Sequence, residues 1–101
     1  MKNTKIKTID IRALSYLDKT NANSYFSAKI IINYGCKDQR SYFIPFTYGY
    51  GEQYIYEAQN VIFQAEKINF NGPLWKYCKE NKISLNTSIQ ENCKKSELIN
   101  Y

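Results

Sequence analysis

The hydrophobic period of this chain first changes within Tyr42–Tyr56, which reads YFIPFTYGYGEQYIY. Before it, apolar residues recur at every second position, as in half-buried strands. After it they recur at every third or fourth, as on one face of a helix. The stretch holds two of the four glycines and seven aromatic rings. Strands first and a helix second define an α+β fold. The strands pair through short turns and the helix covers their apolar face.

The alternation is read in three segments. From Lys5 to Leu17, Ile9, Ile11 and Ala13 alternate with Thr8, Asp10 and Arg12. From Ser24 to Tyr34, one face carries Phe26, Ala28, Ile30, Ile32 and Tyr34, and the other Tyr25, Ser27, Lys29 and Asn33. From Arg40 to Thr47, Tyr42, Ile44 and Phe46 share a face. The polar runs Asp18–Asn23 and Gly35–Gln39 supply the turns. The expectation is a three-stranded antiparallel meander. Pro45 cannot donate to a ladder, which places the third strand at an edge or gives it a bulge.

Glu52–Lys67 follows as the main helix, with Ile55, Ala58, Ile62 and Ala65 on its stripe and Tyr54 and Val61 widening it. Ile68–Gly72 breaks it. Pro73 suits the first turn of a short second helix over Pro73–Asn81, with Leu74, Tyr77 and Cys78 inward and Trp75 at the core edge. A fourth strand is expected over Lys82–Ser88, where Ile83 and Leu85 alternate. For the last stretch, Ser88-Ile89-Gln90-Glu91 matches a capping box. A final helix with Ile89, Cys93 and Ser96 on one face, a strand and a frayed tail all stay open there. The 101 residues are expected to form one domain.

Ten tyrosines supply most of the aromatic content, and the net charge is +5. Tyrosine joins a flat apolar face to a polar tip, so it serves wet binding surfaces as well as strands. A positive balance favours anionic partners. Histidine is absent, and Cys36, Cys78 and Cys93 are widely spaced. A zinc site would lack its usual spacing, and a cysteine nucleophile would lack a histidine base. No motif calls for a cofactor. The odd number of cysteines fits a reducing compartment with thiols packed as small hydrophobes. MKNTKIKTID lacks the apolar core of a signal peptide, and no run is long enough to span a bilayer, so a cytoplasmic, non-membrane protein is expected.

Tyr48-Gly49-Tyr50-Gly51 at the start of the main helix is the first candidate site. Glycine admits positive φ and close approach of a ligand, and a helix N-terminus offers free N–H groups to an anion. Gln53 adds a polar group, and the rings of Tyr48, Tyr50 and Tyr54 would stack on a base. Neither a Walker loop nor a GxGxxG fingerprint is present, and Glu52 competes with an anion for the helix dipole. A tight turn overlain by tyrosines accounts for the same residues.

The second candidate is a basic and aromatic strand surface of Lys2, Lys5, Lys7, Arg12, Tyr25 and Lys29. Lysines and rings together suit nucleic acid, although a solvated sheet face has the same composition. Lys76, Lys79 and Lys82 beside the second helix, and Lys94 and Lys95 near the end, read as routine dipole-matched cations. Asp10, Asp18, Asp38, Glu52 and Glu57 show no catalytic spacing, so a non-enzymatic binding role is expected.

The run Thr8–Tyr56, with SYLDKTNANSYFSAKI and then YFIPFTYGYGEQY, resembles a group of small uncharacterised proteins of bacteriophages and mobile elements, with YGYG as its most specific part. The resemblance implies a phage-type origin and no activity. Small phage proteins are often counter-defence or host-takeover factors acting in the host cytoplasm, which raises sequestering of a nucleotide signal or blocking of a host protein or nucleoprotein complex. Three roles stay open. The first is binding of a nucleotide-like anion at YGYG, in an oligomer with sites near subunit boundaries. The second is inhibition of a host protein through a strand edge or a tyrosine-rich surface. The third is direct binding of nucleic acid.

Overall fold

A computed structural model describes residues 6–101. Lys2 and Lys5 of the candidate basic surface lie outside the described residues. The order of elements is β1 (Thr8–Asp18), β2 (Asn23–Ile32), β3 (Arg40–Tyr48), α1 (Gln53–Ala65), α2 (Leu74–Glu80), β4 (Ser84–Gln90) and α3 (Lys95–Ile99). The fold is α+β, and β1–β3 form the antiparallel meander. The fourth strand completes a mixed sheet of order β3-β2-β1-β4, where β4 runs parallel to β1. The helical stretch between β3 and β4 carries the chain across the sheet to its other side.

The inner face of the sheet carries Ile9, Ile11, Phe26, Ala28, Ile30, Ile32 and Ile44 against Tyr54, Ala58 and Ile62 of α1. Leu74 and Cys78 of α2 and Ile83 extend the same core. Burial of this apolar surface is the main source of stability, at about 25 cal/mol per Å² removed from water.

Five local differences from the sequence reading have physical causes. Tyr34 does not continue the buried face, because Asn33 has a φ of 55° and turns the chain, leaving Tyr34 exposed. Asn33 is itself fully buried. Its side-chain oxygen accepts from the N–H groups of Lys7 and Thr8 at 2.6 and 3.2 Å, and its amide donates to Asp38 at 3.0 Å.

Phe46 leaves the face shared by Tyr42 and Ile44. Phe26 pairs with Thr47 and Ala28 with Ile44, so β3 spends one residue more than β2 at Pro45-Phe46. That bulge turns Phe46 outward together with Tyr48. Ala65, placed on the helical stripe, is exposed at the helix end.

β4 runs on to Gln90, past the Ser88 capping box. The last helix starts instead at Lys95, where the Glu97 carboxylate accepts from the Lys94 N–H at 2.6 Å. Finally, the outer sheet face is not uniformly solvated. α3 lies over β1, β2 and β3 there, with Leu98 fully buried and the Ser27 hydroxyl donating to the Leu98 carbonyl at 2.9 Å.

Candidate functional site

The YGYG turn divides into parts with different duties. A Cβ on Gly49 would lie 2.7 Å from Cε1 of the buried Phe26 ring, and the Gln53 side chain packs on the same spot. Gly49 is therefore required by close packing of the chain on its own core. Gly51 has open space around it but a φ of 51°, so it is required by backbone conformation. At the start of α1 the N–H of Gln53 donates to the Tyr50 carbonyl, and that of Ile55 to the Glu52 carbonyl, each at 2.9 Å. Those two amides are occupied within the turn. Tyr54 is 4% exposed, and its ring is part of the core rather than a surface on which a base can stack.

Tyr48 and Tyr50 point the other way. They are 49% and 52% exposed, and their hydroxyls share a hydrogen bond of 2.7 Å. That bond, aided by slight desolvation, pushes the Tyr48 phenol above its usual pKa. The two rings meet edge-on with centroids 5.3 Å apart.

They belong to a larger cluster on the outer sheet face. Tyr25 stacks on Phe46 with centroids 4.8 Å apart, meets Tyr48 edge-on at 5.7 Å, and lies parallel to its cross-strand neighbour Tyr16 at 6.2 Å. Five rings from three strands and the following turn thus form one band. The bulge at Pro45-Phe46 makes the band, because without it Phe46 would point into the core.

Cations border this band. The Lys95 ammonium lies 5.8 Å from the Phe46 ring centroid. Beside Tyr16 and Leu17, Lys19, Lys94 and Lys95 line a groove of about 330 Å³ at the end of the β1–β2 hairpin. One carboxylate, Asp18, lies close to them. Its pKa is held below the usual range, chiefly by the side-chain hydrogen bond from Asn21, with Lys95 adding to the effect.

The residues of the second candidate surface separate. Arg12 and Lys29 are cross-strand partners on the outer face, and each is covered by a ring. The Arg12 guanidinium lies 5.6 Å from the Tyr34 ring centroid and the Lys29 ammonium 4.4 Å from that of Tyr101. Tyr25 is four residues along β2 from Lys29, about 13 Å at strand rise, and joins the Tyr48–Tyr50 group instead. The exposed Lys7 lies just before β1, where its N–H serves Asn33. Tyr16 is not singled out by the sequence, Phe46 is placed by it on the face of Tyr42 and Ile44, and Lys95 is read as a dipole-matched cation. Their signals are the tyrosine opposite Tyr25 in the hairpin register and the proline that forces the bulge. Nothing in the sequence indicates the return of α3 to this face.

The strongest charged cluster lies elsewhere and is saturated. Arg40 on β3 grips Glu66 just after α1, with Nε to Oε2 at 2.7 Å and Nη2 to Oε1 at 2.5 Å, and the Tyr42 hydroxyl donates to Oε2 at 2.6 Å. The bond to Arg40 holds the Glu66 carboxyl below the usual carboxylate range. This clamp ties the helix end to the edge strand. Cys78 is buried, which pushes its thiol up to about 11. It behaves as a small hydrophobe, because the nucleophilic form of cysteine is the thiolate. Among the described residues no group of three or more potential ligands could hold a metal, and no helix is long and apolar enough to cross a membrane.

Comparison with protein-family models, with curated proteins and with solved structures gives no match in any of the three.

Proposed function

We propose that the protein is a non-enzymatic binding module for single-stranded nucleic acid and that the outer face of its sheet is the binding surface. The observation that carries this reading is the band Tyr16, Tyr25, Phe46, Tyr48 and Tyr50, with Tyr48 and Tyr50 about half exposed and Lys19, Lys94 and Lys95 beside it. Single strands are held by this combination. Rings stack on bases at about 1–3 kcal/mol each and lysines follow the phosphates. A net charge of +5 assists the encounter. The resemblance to small phage proteins raises the blocking of a host protein or nucleoprotein complex by surface contact, and a nucleic-acid surface is compatible with the second of these.

A small anion at the YGYG turn is the weaker reading. Two first-turn amides are used internally, Tyr54 is in the core, and both glycines have reasons of their own.

The test is titration of a fluorescent oligothymidylate, followed by anisotropy at a series of salt concentrations. The expected outcome is binding whose logarithm falls linearly with the logarithm of salt. The expected slope is about −2, from about three phosphate contacts at roughly −0.7 each on a single strand. Absence of binding at low salt would remove the proposal.

A further inference from the structure

We infer that the outer edge of β4 is a self-association surface, where a second copy of the chain pairs antiparallel about Thr87 and extends the sheet across a two-fold axis. The two edges of the sheet are unlike. β3 carries Pro45, a bulge and Arg40, all features that discourage edge pairing. β4, Ser84-Leu85-Asn86-Thr87-Ser88-Ile89-Gln90, has no charge, no proline and no bulge, and among the described residues no strand lies beyond it.

Its side chains also read alike in both directions. Centred on Thr87, an antiparallel pairing sets Leu85 against Ile89, Asn86 against Ser88 and Ser84 against Gln90, twice over. Apolar meets apolar and polar meets polar, with no like charges opposed within the strand despite the net charge of each copy.

The backbone is set for the same register. The Ser84 N–H donates to the Lys7 carbonyl at 3.0 Å. In a parallel ladder, alternate residues turn both backbone groups to one neighbour, so Ser84, Asn86, Ser88 and Gln90 face β1. Leu85, Thr87 and Ile89 therefore present N–H and C=O to the free side. Thr87 to Thr87 and Leu85 to Ile89 pairing across the two-fold would satisfy about six of these groups.

Side chains at this edge supply apolar surface. Leu85 and Thr87 lie beside Ile9 and Ile11 on the inner face. They open into a groove of about 360 Å³ shared with Ile55, Tyr56, Pro73 and Trp75. Tyr56 and Trp75 are 67% and 61% exposed, much for rings of that size, and both line this groove with Leu85 and Thr87 of the edge strand.

The experiment is sedimentation equilibrium of the full chain, freed of nucleic acid by nuclease, from about 1 to 200 µM, a span that brackets ordinary self-association constants. The expected result is a monomer–dimer equilibrium, with emission of Trp75, the only tryptophan, moving to the blue as dimer forms. Thr87→Pro removes the central donor without removing a bond to β1. Thr87→Lys sets two like charges face to face and keeps the backbone intact. Each should weaken dimerisation about tenfold or more, while leaving the circular dichroism spectrum and the cooperative melt of the monomer in place. A wild-type chain that stays monomeric throughout overturns the inference and leaves the edge to a foreign strand. So does a dimer unaffected by the folded Thr87→Lys variant. Oligothymidylate binding is read in a separate titration, so this surface fails or stands independently of the nucleic-acid surface.

Discussion

Gly49 and Gly51 show how one motif can hold two unrelated requirements. Gly49 is short of space and Gly51 is short of an ordinary backbone conformation. Alanine at Gly49 must push the Phe26 ring out of its place in the core, at a cost of about 1–3 kcal/mol. Alanine at Gly51 meets no neighbour and costs only the left-handed penalty, about 1 kcal/mol. Urea denaturation of the two variants should show the larger fall in midpoint for Gly49→Ala. At the same scale, Glu66 makes stability depend on pH. Its folded pKa lies below the ordinary value of 4.5 because Arg40 and Tyr42 donate to the carboxylate. The unfolded chain therefore takes up the proton first as pH falls. The contribution of Glu66 is complete above pH ~4.5 and is lost as pH drops through the lowered folded value. Thermal melts of Glu66→Gln between pH 7 and 3 should show a lower melting temperature at pH 7 and a shallower loss in acid than the wild type.

At the scale of elements, the strands and main helix were legible because each follows its own period over many residues. Ile9, Ile11 and Ala13, and likewise Phe26, Ala28, Ile30 and Ile32, alternate without interruption and are all buried. What was not legible depends on contacts distant in sequence. The bulge that turns Phe46 outward is announced only by Pro45, and the proline does not say which side chain changes face. The parallel partnership of β4 with β1 joins residues over seventy positions apart, such as Thr8 and Ser84. Burial of Leu98 on Ser27 rests on a similar separation, and the local sequence around Lys94 and Lys95 gives little apolar support to a helix. The structure makes α3 an integral cover for the outer face. Leu98→Ala should accordingly cost about 2–4 kcal/mol in a denaturation midpoint measurement. A loosely held tail would lose less than about 0.5 kcal/mol, the usual limit for surface substitutions.

For the molecule as a whole, the two sheet faces have taken different work. The inner face is closed by α1 and α2 and stores the core. The outer face is covered by α3 only in its middle, and the surfaces left on either side hold rings paired with cations: Lys95 with Phe46 at one end, Arg12 with Tyr34 and Lys29 with Tyr101 at the other. The long strands give a body of 49 × 28 × 20 Å, and the band of five rings runs across three strands of it. The candidate site was half legible. Tyr25, Tyr48 and Tyr50 are candidates from sequence; in the fold Tyr48 and Tyr50 are exposed and Tyr25 is half-buried. That they stand together, and away from Tyr54, follows only from the hairpin register and the bulge.

The most direct test is the anisotropy titration of oligothymidylate repeated with the double variant Tyr48→Ala/Tyr50→Ala. Both side chains are exposed, so the fold should keep its melting behaviour while two stacking surfaces are lost. Affinity should be lower by about tenfold or more at every salt concentration, from about 1–3 kcal/mol per stacked base. The salt slope should be unchanged, because no phosphate contact has been removed. A double variant that binds as tightly as the wild type would contradict the assignment of the ring band as the binding surface.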